Sequence, residues 1–425
     1  RFGGDQPPRA TPGTGPSGQI PAGLYCGEYR CRRLRGRARI GESLMIEPHG
    51  GSLVNKELPE IERKRVLEQI DEFEKIKVSP QIWKVIKNIC FGVFSPLEGF
   101  MHENDTLNVL EHMCLESNEI WPFPIVLDVS EEEVKDIKPD DRILLVNAAD
   151  RPIAMLIVSD IYDYDKKEYA QKVYGTTDDS HPGVNKVYNM KDKLLGGEIF
   201  LVEQEPAVFP DLDLKPLETR VLFKTKGWDR VAAFQTRNPP HLGHEYVQKA
   251  ALTVSDGLFI NPVMGKKKKG DFKDQVIIEA YKTLIDNYYP ENRVVLSTFE
   301  TEMRYAGPKE AVFHAIARKN FGCDRIIIGR DHAGVGDFYG PYDAHKIFDK
   351  FPDLGIEPVT FRSFSRCTVC NSVVNDKICP HPPEKHVFFS GSNIRKLIRE
   401  CKKPTPDIMR PEVVDVILKY QEPFC

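Results

Sequence analysis

The sequence predicts a protein of the α/β class, with a doubly wound parallel sheet preceded by a mixed, strand-rich domain. Three observations lead to this prediction. In residues 216–365, short apolar runs alternate four times with helical stretches, as in parallel sheets with right-handed crossovers. In residues 45–215, short apolar runs instead follow one another between turn-forming residues. Residues 366–425 can form only a small domain and residues 1–44 differ in composition, so we expect four parts with these boundaries.

The composition is that of a globular protein without a membrane segment. The chain has 425 residues, of which 41% are hydrophobic and 29% charged, enough for a sizeable core. No apolar run approaches the roughly 20 residues of a membrane span, and the N-terminus lacks the apolar segment of a secretory signal. We therefore expect a cytoplasmic protein with no membrane partner. The ten cysteines of so long a chain do not predict a disulfide framework.

Residues 1–44 are rich in Gly and Pro and carry five arginines between Arg32 and Arg39. The segment has eight Arg against three acidic residues, so the rest of the chain, which has net charge −4 as a whole, is about −9. Such a basic segment can bind nucleic acid, but no aromatic residues alternate with these arginines as on a nucleic-acid surface. We expect a disordered extension, or non-native sequence upstream of a start at Met45.

The first half predicts one helix and then strands. Apolar residues recur on one helical face from Leu58 to Val78, which predicts a helix there. Apolar runs then predict strands that begin at Pro122, Arg142, Ile153 and Glu198. A Pro-containing stretch from Phe209 to Pro216 marks the end of this half.

The second half contains four predicted strand–helix pairs. The strands begin at Arg230, Leu258, Arg293 and Arg325, and the helices that follow them cover 241–254, 273–289, 308–321 and 343–351. Because the carboxyl ends of parallel strands share one edge, three loops should meet there: QTRNPPHLGH, MGKKKKGD and GRDHAGVGD. We expect these loops to line one ligand-binding crevice.

The loop QTRNPPHLGH has the composition of a phosphate site. His241 and His244 are three residues apart, so they face the same side of the first helical turn, beside its unpaired N–H groups. Gly243 lets a ligand approach that turn closely. Arg237 offers a planar fork that suits a tetrahedral oxyanion. Thr236 and Asn238 of the same loop are further donors, and the loop GRDHAGVGD adds Arg330 and His332.

These loops lack the groups that most hydrolases use. They contain no Ser or Cys beside a base, no GxxxxGK[ST] phosphate loop and no carboxylate pair that suggests hydrolysis by a general acid and a general base. Taken alone, an HxxH pair is often only two polar surface residues, but two His-containing loops at neighbouring strand ends make that reading much weaker. A site made of cations and N–H donors stabilises charge in phosphoryl or nucleotidyl transfer and leaves the attack to the substrate.

Together, FQTRNPPHLGHE, GRDHAGVGD and FSGSNIRKL resemble the ATP sulfurylase (sulfate adenylyltransferase) family, of the zinc-bearing prokaryotic type. The resemblance runs from about Met45 to the C-terminus and is supported by PHGGSLVN, FSPLEGF, TTDDSHPGV and YAGPKEA. The family typically shows Met-His-Arg-Ala-His where this chain has PHLGH, and Ser-Gly-Thr where it has Ser-Gly-Ser, so both histidines are kept. Because only about 60 residues follow Arg366, we expect no fused kinase domain.

The resemblance implies a PUA-like N-terminal domain, a Rossmann-like catalytic domain and a small zinc-bearing C-terminal domain, in a homodimer. It also implies reversible transfer of the adenylyl group of ATP, bound with Mg²⁺, to sulfate by in-line attack, giving adenylyl sulfate and pyrophosphate. The implied catalytic residues are Thr236, Arg237, Asn238, His241, His244 and Arg330. The implied substrate-binding residues are Gln235, Arg237, Asn238, Gly329, Arg330, Asp331, His332 and Ala333. Among these, Gln235, Arg237 and the Ala333 backbone would hold sulfate, and Gly329 to His332 would line the adenosine.

Two other functions fit part of the sequence. An adenylyltransferase for a nucleotide or phosphopantetheine acceptor also uses HxGH, but it would lack the TRN that precedes the His pair here. An RNA-binding protein is suggested by the basic extension and the cysteine-rich segment. However, an acidic body binds nucleic acid poorly, so we expect no nucleic-acid partner.

The segment CTVCNSVVNDKICPHPPEKH, residues 367–386, predicts a structural zinc site. Cys367, Cys370 and Cys379 have ligand spacing, and a histidine completes a four-ligand set. The fourth ligand is either His386 or His381. Cys-Pro-His is a tight span for two ligands of one ion, so spacing favours His386, whereas His381 follows the cysteine as in some zinc-bearing members of the family. With all positions filled, the metal would stabilise the C-terminal domain and take no part in adenylyl transfer.

Overall fold

The computed structural model describes residues 45–425, so the expected extension at residues 1–44 lies outside the described residues. Residues 45–425 fall within one unit of contacts. In this part of the chain, no helix combines the length and apolar character that crossing a membrane requires. The predicted boundaries at residues 215 and 365 stay predictions.

The helices of the described part have Pro, Ser, Asp or His as the N-cap or as the first helical residue, and these residues favour helix N-termini or can cap them. They are α1 Glu60–Glu68, α2 Pro80–Cys90, α3 Glu103–His112, α4 Glu131–Val134, α5 Lys166–Tyr174, α6 Pro182–Tyr188, α7 Pro216–Thr225, α8 Leu242–Leu252, α9 Asp274–Tyr288, α10 Pro308–Asn320, α11 Asp343–Lys346, α12 Gly391–Arg399 and α13 Pro411–Leu418.

The strands belong to a mixed sheet, a parallel sheet and two small sheets. The strands are β1 Lys75–Lys77, β2 Gly99–Phe100, β3 Leu127–Val129, β4 Arg142–Val146, β5 Pro152–Asp163, β6 Lys193–Leu201, β7 Val231–Phe234, β8 Gly257–Ile260, β9 Val263–Met264, β10 Val294–Leu296, β11 Phe299–Glu300, β12 Arg325–Ile328, β13 Glu357–Thr360, β14 Ser365–Cys367, β15 Ser372–Val374 and β16 His386–Phe388.

The first half forms a mixed sheet in the order β1-β4-β5-β6-β2, with β3 also pairing with β6. The predicted helix over 58–78 is correct only in its first part, because α1 ends at Glu68 and residues 75–77 pair with β4 as a parallel strand. In that strand Ile76 is buried between two exposed lysines. Burial that alternates every second residue is typical of a strand. A search for apolar residues at helical spacing wrongly assigned these residues to the preceding helix.

The second half confirms the doubly wound parallel sheet. Its order is β10-β8-β7-β12-β13, and every pairing is parallel. The chain builds outward from β7 first through β8 and β10, and then in the opposite direction through β12 and β13. The topological switch point therefore lies between β7 and β12, and the loops that leave these two strands are neighbours at the carboxyl edge.

Two details of this sheet differ from the prediction. Strand β13 was not predicted. In addition, the apolar run from Leu258 breaks at Asn261 and Pro262, so β9 pairs with β11 in a separate two-stranded sheet. Proline has no N–H for the ladder, which explains the break.

The C-terminal segment begins with the antiparallel sheet β15-β14-β16 and continues into α12 and α13. Helix α13 packs on α9, and its Val413 and Ile417 belong to the same apolar cluster as Val276 and Leu284 of α9. The segment therefore adds to the core beside the parallel sheet, close to the carboxyl-edge loops.

Candidate active site and metal centre

A cavity of about 550 Å³ opens at the switch point between β7 and β12. Every predicted catalytic and substrate-binding residue lines it: Gln235, Thr236, Arg237, Asn238, His241, His244, Gly329, Arg330, Asp331, His332 and Ala333. The structure thus brings together two loops that are almost 100 residues apart in sequence. The lysines of the third predicted loop, Lys266–Lys269, are not among the residues that line the cavity.

The two histidines of HLGH lie at the start of α8. The His241 ring caps the helix, because its Nδ1 accepts a hydrogen bond from the His244 N–H at 3.2 Å. The two rings stack with centroids 3.7 Å apart, and Phe389 stacks on the other side of His241 at 5.4 Å. A Cβ on Gly243 would lie 2.7 Å from the Phe389 ring. Glycine therefore lets these rings pack against the first turn of the helix.

Both imidazoles are neutral at pH 7. Burial lowers the pKa of His244 to about 4, and burial followed by the neighbouring His244 lowers the pKa of His241 well below its usual value. Nδ1 of His244 is buried without a hydrogen-bond partner. A neutral ring can still donate its one N–H to a phosphate oxygen, and a polyanionic ligand would raise the pKa of both rings.

The Arg237 guanidinium is held by two groups from other loops. Nη1 donates to the Tyr305 hydroxyl at 3.1 Å, and Nη2 donates to the Asp271 carboxylate at 3.2 Å. Its neighbour Asn238 accepts a hydrogen bond from Nη1 of Arg395 on α12 at 3.1 Å. The Arg237 guanidinium is therefore oriented before any ligand binds, and this reduces the entropy lost when a ligand binds to it.

The loop after β12 adopts a strained backbone. Asp331 and Ala333 have φ values of 53° and 56°, a region that non-glycine residues rarely adopt. Backbone hydrogen bonds hold this loop, from the Asp331 N–H to the Pro341 carbonyl at 3.0 Å and from the Gly307 N–H to the Ala333 carbonyl at 3.1 Å. Arg330 pairs with Asp331 at 3.2 Å, but because both side chains are half exposed, this pair is weak and the guanidinium can turn toward an anion.

Part of the cavity wall was missed in the sequence. Phe361, Arg362, Ser363 and Phe364 follow β13 and line the cavity, as do Met303 and Phe389. The four residues after β13 were missed because β13 itself was not predicted, so the strand-end rule that found the loops after β7 and β12 was not applied to them. Phe389 is the first residue of FSGSNIRKL, one of the motifs that carry the resemblance, but no role in the site was assigned to it.

The cysteine-rich segment forms a cluster that can hold a metal ion such as zinc. The ligand atoms of Cys367, Cys370, Cys379 and His381 all lie within 4.8 Å of one another. Nδ1 of His381 is 3.6, 3.3 and 3.5 Å from the three sulfur atoms in that order, and the Cys370 and Cys379 sulfurs are 3.6 Å apart. With Zn–S bonds of about 2.3 Å and a Zn–N bond of about 2.0 Å, a tetrahedron has edges of roughly 3.5–3.8 Å, so the four side chains fit.

The geometry corrects the preference for His386. The His386 Nε2 contacts only the Cys379 sulfur, at 3.4 Å, and His386 is not a member of the four-residue cluster. It lies on β16 opposite Cys367, where the strand fixes its position. The Cys-Pro-His span is not too tight, because His381 presents Nδ1, the ring nitrogen nearer its backbone.

The surroundings of Cys367 favour its thiolate form. Burial raises the pKa of the Cys367 thiol, but hydrogen bonds from the N–H groups of Cys370 and Val369 lower it to about 6. The Cys370 N–H lies 3.3 Å from the Cys367 sulfur. Metal ligation requires the thiolate, so these donors favour metal binding.

Comparisons with known proteins match a family to each half of the chain and find relatives that span nearly all of residues 45–425. The family described as ATP-sulfurylase matches residues 210–420, and the PUA-like domain family matches residues 46–204. The sulfate adenylyltransferase of Thermococcus onnurineus is 52% identical over 381 residues, which cover 90% of this chain and 100% of that protein. That of Hyperthermus butylicus is 51% identical over 90% of this chain and 98% of its own length, and that of Halothermothrix orenii is 42% identical over 88% and 99%.

A solved structure described as a hexameric APS kinase from Thiobacillus denitrificans has the same fold. It superimposes with a TM-score of 0.72 at 21% identity and covers 89% of this chain and 69% of that chain. At this identity the likeness concerns the fold alone.

Proposed function

The chain belongs to the ATP-sulfurylase family, and we propose that it works as a sulfate adenylyltransferase, converting ATP and sulfate into adenylyl sulfate and pyrophosphate. The observation that carries this function is the cavity at the switch point. It gathers arginines, neutral histidines and amide or hydroxyl donors from two strand-end loops beside the N-terminus of α8. Such a wall binds two anions side by side.

We propose the following division of the cavity between the substrates. Gln235, Arg237 and the backbone of Ala333 hold sulfate. A second group of donors, beside the N-terminus of α8, surrounds the phosphates of ATP: Thr236, Asn238, His241, His244 and Arg330. The backbone from Gly329 to His332 lines the adenosine. All of these residues line one cavity, and this supports the division.

The reaction follows from this placement. A sulfate oxygen attacks the α-phosphorus in line, so that a new O–P bond forms while the bond to pyrophosphate breaks and its electron pair leaves with pyrophosphate. No enzyme nucleophile and no general base are needed, since sulfate is already an anion. Sulfate and triphosphate repel each other strongly. The main task of Arg237, Arg330 and the α8 N-terminus is therefore to hold both anions within reach while the transition state forms.

Two metal ions belong to this proposal. Mg²⁺ would arrive with ATP and neutralise charge on the phosphates. Zinc would occupy the cluster of Cys367, Cys370, Cys379 and His381 and stabilise the C-terminal segment, because four protein ligands leave no open position for a substrate. A homodimer and a cytoplasmic location stay predictions.

Pyrophosphate release tests the function. The protein is incubated with ATP and Mg²⁺ and with sulfate, molybdate or no added oxyanion. We expect release that depends on the oxyanion, with molybdate replacing sulfate because both are tetrahedral dianions. Release that continues equally without any oxyanion would contradict a sulfate adenylyltransferase.

A further inference from the structure

A buried polar stripe runs along α10 behind the cavity. Glu310, His314 and Arg318 follow one another at intervals of four residues, so they lie on one face of the helix, and each is 0% exposed. Burying such groups costs free energy unless they are hydrogen-bonded. The stripe therefore calls for an explanation beyond packing, and His314 is the member that contacts residues of the cavity wall.

His314 contacts side chains from both strand-end loops. Its Nδ1 lies 2.9 Å from Nε2 of Gln235 and 3.1 Å from Nε2 of His332. Gln235 follows β7 and His332 follows β12, the two strands at the switch point. Both side chains line the cavity, whereas His314 itself does not. One buried ring therefore joins the two loops from behind.

We propose that His314 is a positioning residue for the sulfate half of the site, where it holds the Gln235 amide and, through His332, the backbone at Ala333. The inference rests on the proposed function, in which Gln235 and the Ala333 backbone bind sulfate. Ala333 directly follows His332 and has the strained φ of 56° described above. Anchoring the His332 side chain helps to keep that backbone in place.

The tautomer of His314 explains how the amide is fixed. Burial, followed by the charges of neighbouring groups, lowers the pKa of His314 well below its usual value, so the ring is neutral. Its Nδ1 lies 2.9 Å from the Gln235 amide nitrogen, which can only donate, so Nδ1 is the acceptor and the ring proton is on Nε2. Gln235 then donates one amide N–H to Nδ1 and keeps the second for a ligand.

This arrangement matters because sulfate offers only acceptors. A Gln side chain has a donor end and an acceptor end of almost the same shape, and only the donor end attracts an oxyanion. The oxygen of the Gln235 amide has no partner in the structure, so His314 is what distinguishes the two ends. Without an acceptor at the Nδ1 position, the amide can rotate and present its oxygen to sulfate.

A matched pair of substitutions tests this role. His314→Asn keeps a polar atom at the position of Nδ1, whereas His314→Gln moves the amide one carbon further out, to the position of Nε2. KM for sulfate and KM for ATP are measured separately in the pyrophosphate-release assay. We expect His314→Gln to raise KM for sulfate about tenfold, the scale of one lost hydrogen bond to a charged ligand, and KM for ATP less than about twofold. His314→Asn should stay within about threefold of wild type for both.

The controls separate positioning from stability and from the function itself. His49 is also buried, and it bonds the Ile120 carbonyl away from the cavity, so His49→Gln should lower thermal stability without changing either KM. If His314→Gln does not fold, His314→Phe fills the space with an apolar ring and must show the same sulfate defect. Equal rises in both KM values, no difference between Asn and Gln, or a loss of stability alone would overturn the positioning role. A wild-type protein without oxyanion-dependent release would instead refute the proposed function.

Discussion

In the proposed reaction, Arg237 is the side chain whose geometry matters most. Its two Nη atoms are engaged by Tyr305 and Asp271, so the guanidinium plane is fixed while its remaining N–H groups stay available to an oxyanion. Lys carries the same charge but places it at a single point on a flexible stem. It can satisfy only part of this arrangement.

We expect Arg237→Lys to abolish measurable turnover while the protein stays folded. Losing a directed donor to the transition state costs roughly 2–4 kcal/mol, which corresponds to a rate reduction of about 30- to 900-fold. Turnover is measured by pyrophosphate release, and folding by thermal unfolding. Arg325→Lys is the matched control, because Arg325 pairs with Glu357 at the opposite end of β12 and should keep normal activity. Turnover near that of wild type in Arg237→Lys would remove Arg237 from the sulfate site.

The donors of the site could be predicted from the sequence, but most of the residues that orient them could not; Asp271 is the exception, since it ends the predicted loop MGKKKKGD. Arg237 and His241 belong to one local motif, whose strand-to-helix position indicates a phosphate site. Their partners are distant in the chain, since Tyr305 is 68 residues from Arg237 and His314 is 79 residues from Gln235. No periodicity or spacing rule links such pairs, because only the packing of α10 against the parallel sheet brings them together.

At the scale of elements, the three-stranded sheet β14–β16 and its loops carry the metal centre. Two histidines of this element give opposite expectations. His381→Ala removes a ligand from the four-residue cluster, whereas His386→Ala removes a side chain that contacts only one sulfur. We expect purified His386→Ala to contain about one zinc per chain, like wild type, and His381→Ala to contain little and to unfold at a lower temperature.

Metal analysis and thermal unfolding of the two variants measure this difference. Cys370→Ser serves as the positive control for ligand loss. Zinc retained in His381→Ala but lost in His386→Ala would show that His386 is the fourth ligand, as the sequence spacing favoured. A wild-type protein without zinc would reject the metal centre, and zinc loss that stops catalysis while the fold and its stability are unchanged would reject a purely structural role.

The elements that were misread show where local patterns fail. Residues 75–77 look helical within a longer amphipathic stretch, yet pairing with β4 makes them a strand. Strand β13 was missed because EPVT is short and only moderately apolar, although it pairs along its whole length with β12. In both cases the strand forms because its backbone hydrogen-bonds to another strand that is distant in the sequence. These hydrogen bonds outweigh the local preference of the residues.

At the scale of the whole molecule, polar contacts tie the first half of the chain to the site. His181 caps α6 and its Nε2 lies 3.1 Å from the carbonyl oxygen of Tyr305, the residue that holds Arg237. Lys87 of α2 pairs with Asp213 and Glu300. The mixed sheet domain therefore supports residues that hold the cavity wall, a relation that composition and strand patterns of the separate halves could not predict.

Buried histidines are spread through both halves and make the stability of the whole fold depend on pH. Burial is the main cause in each: it lowers the pKa of His49 and His244 to about 4 and that of His332 to about 3. In the unfolded chain these groups have a pKa of about 6.5. Between these values the unfolded chain binds more protons than the folded one, so stability is fully present above about pH 6.5 and falls as the pH drops toward 4.

We therefore expect the thermal unfolding midpoint to fall between pH 7.5 and pH 5.5, with each such histidine contributing about 1 kcal/mol of lost stability at the lower pH. His49 isolates one of these contributions, because it lies away from both the cavity and the metal cluster. His49→Gln should be less stable at pH 7.5 but lose less stability on acidification than wild type. Since His49→Gln and wild type both keep the cysteine cluster, any acid loss of metal affects them equally and cancels in the comparison. The same slope in His49→Gln as in wild type would show that His49 keeps an ordinary proton affinity in the folded protein.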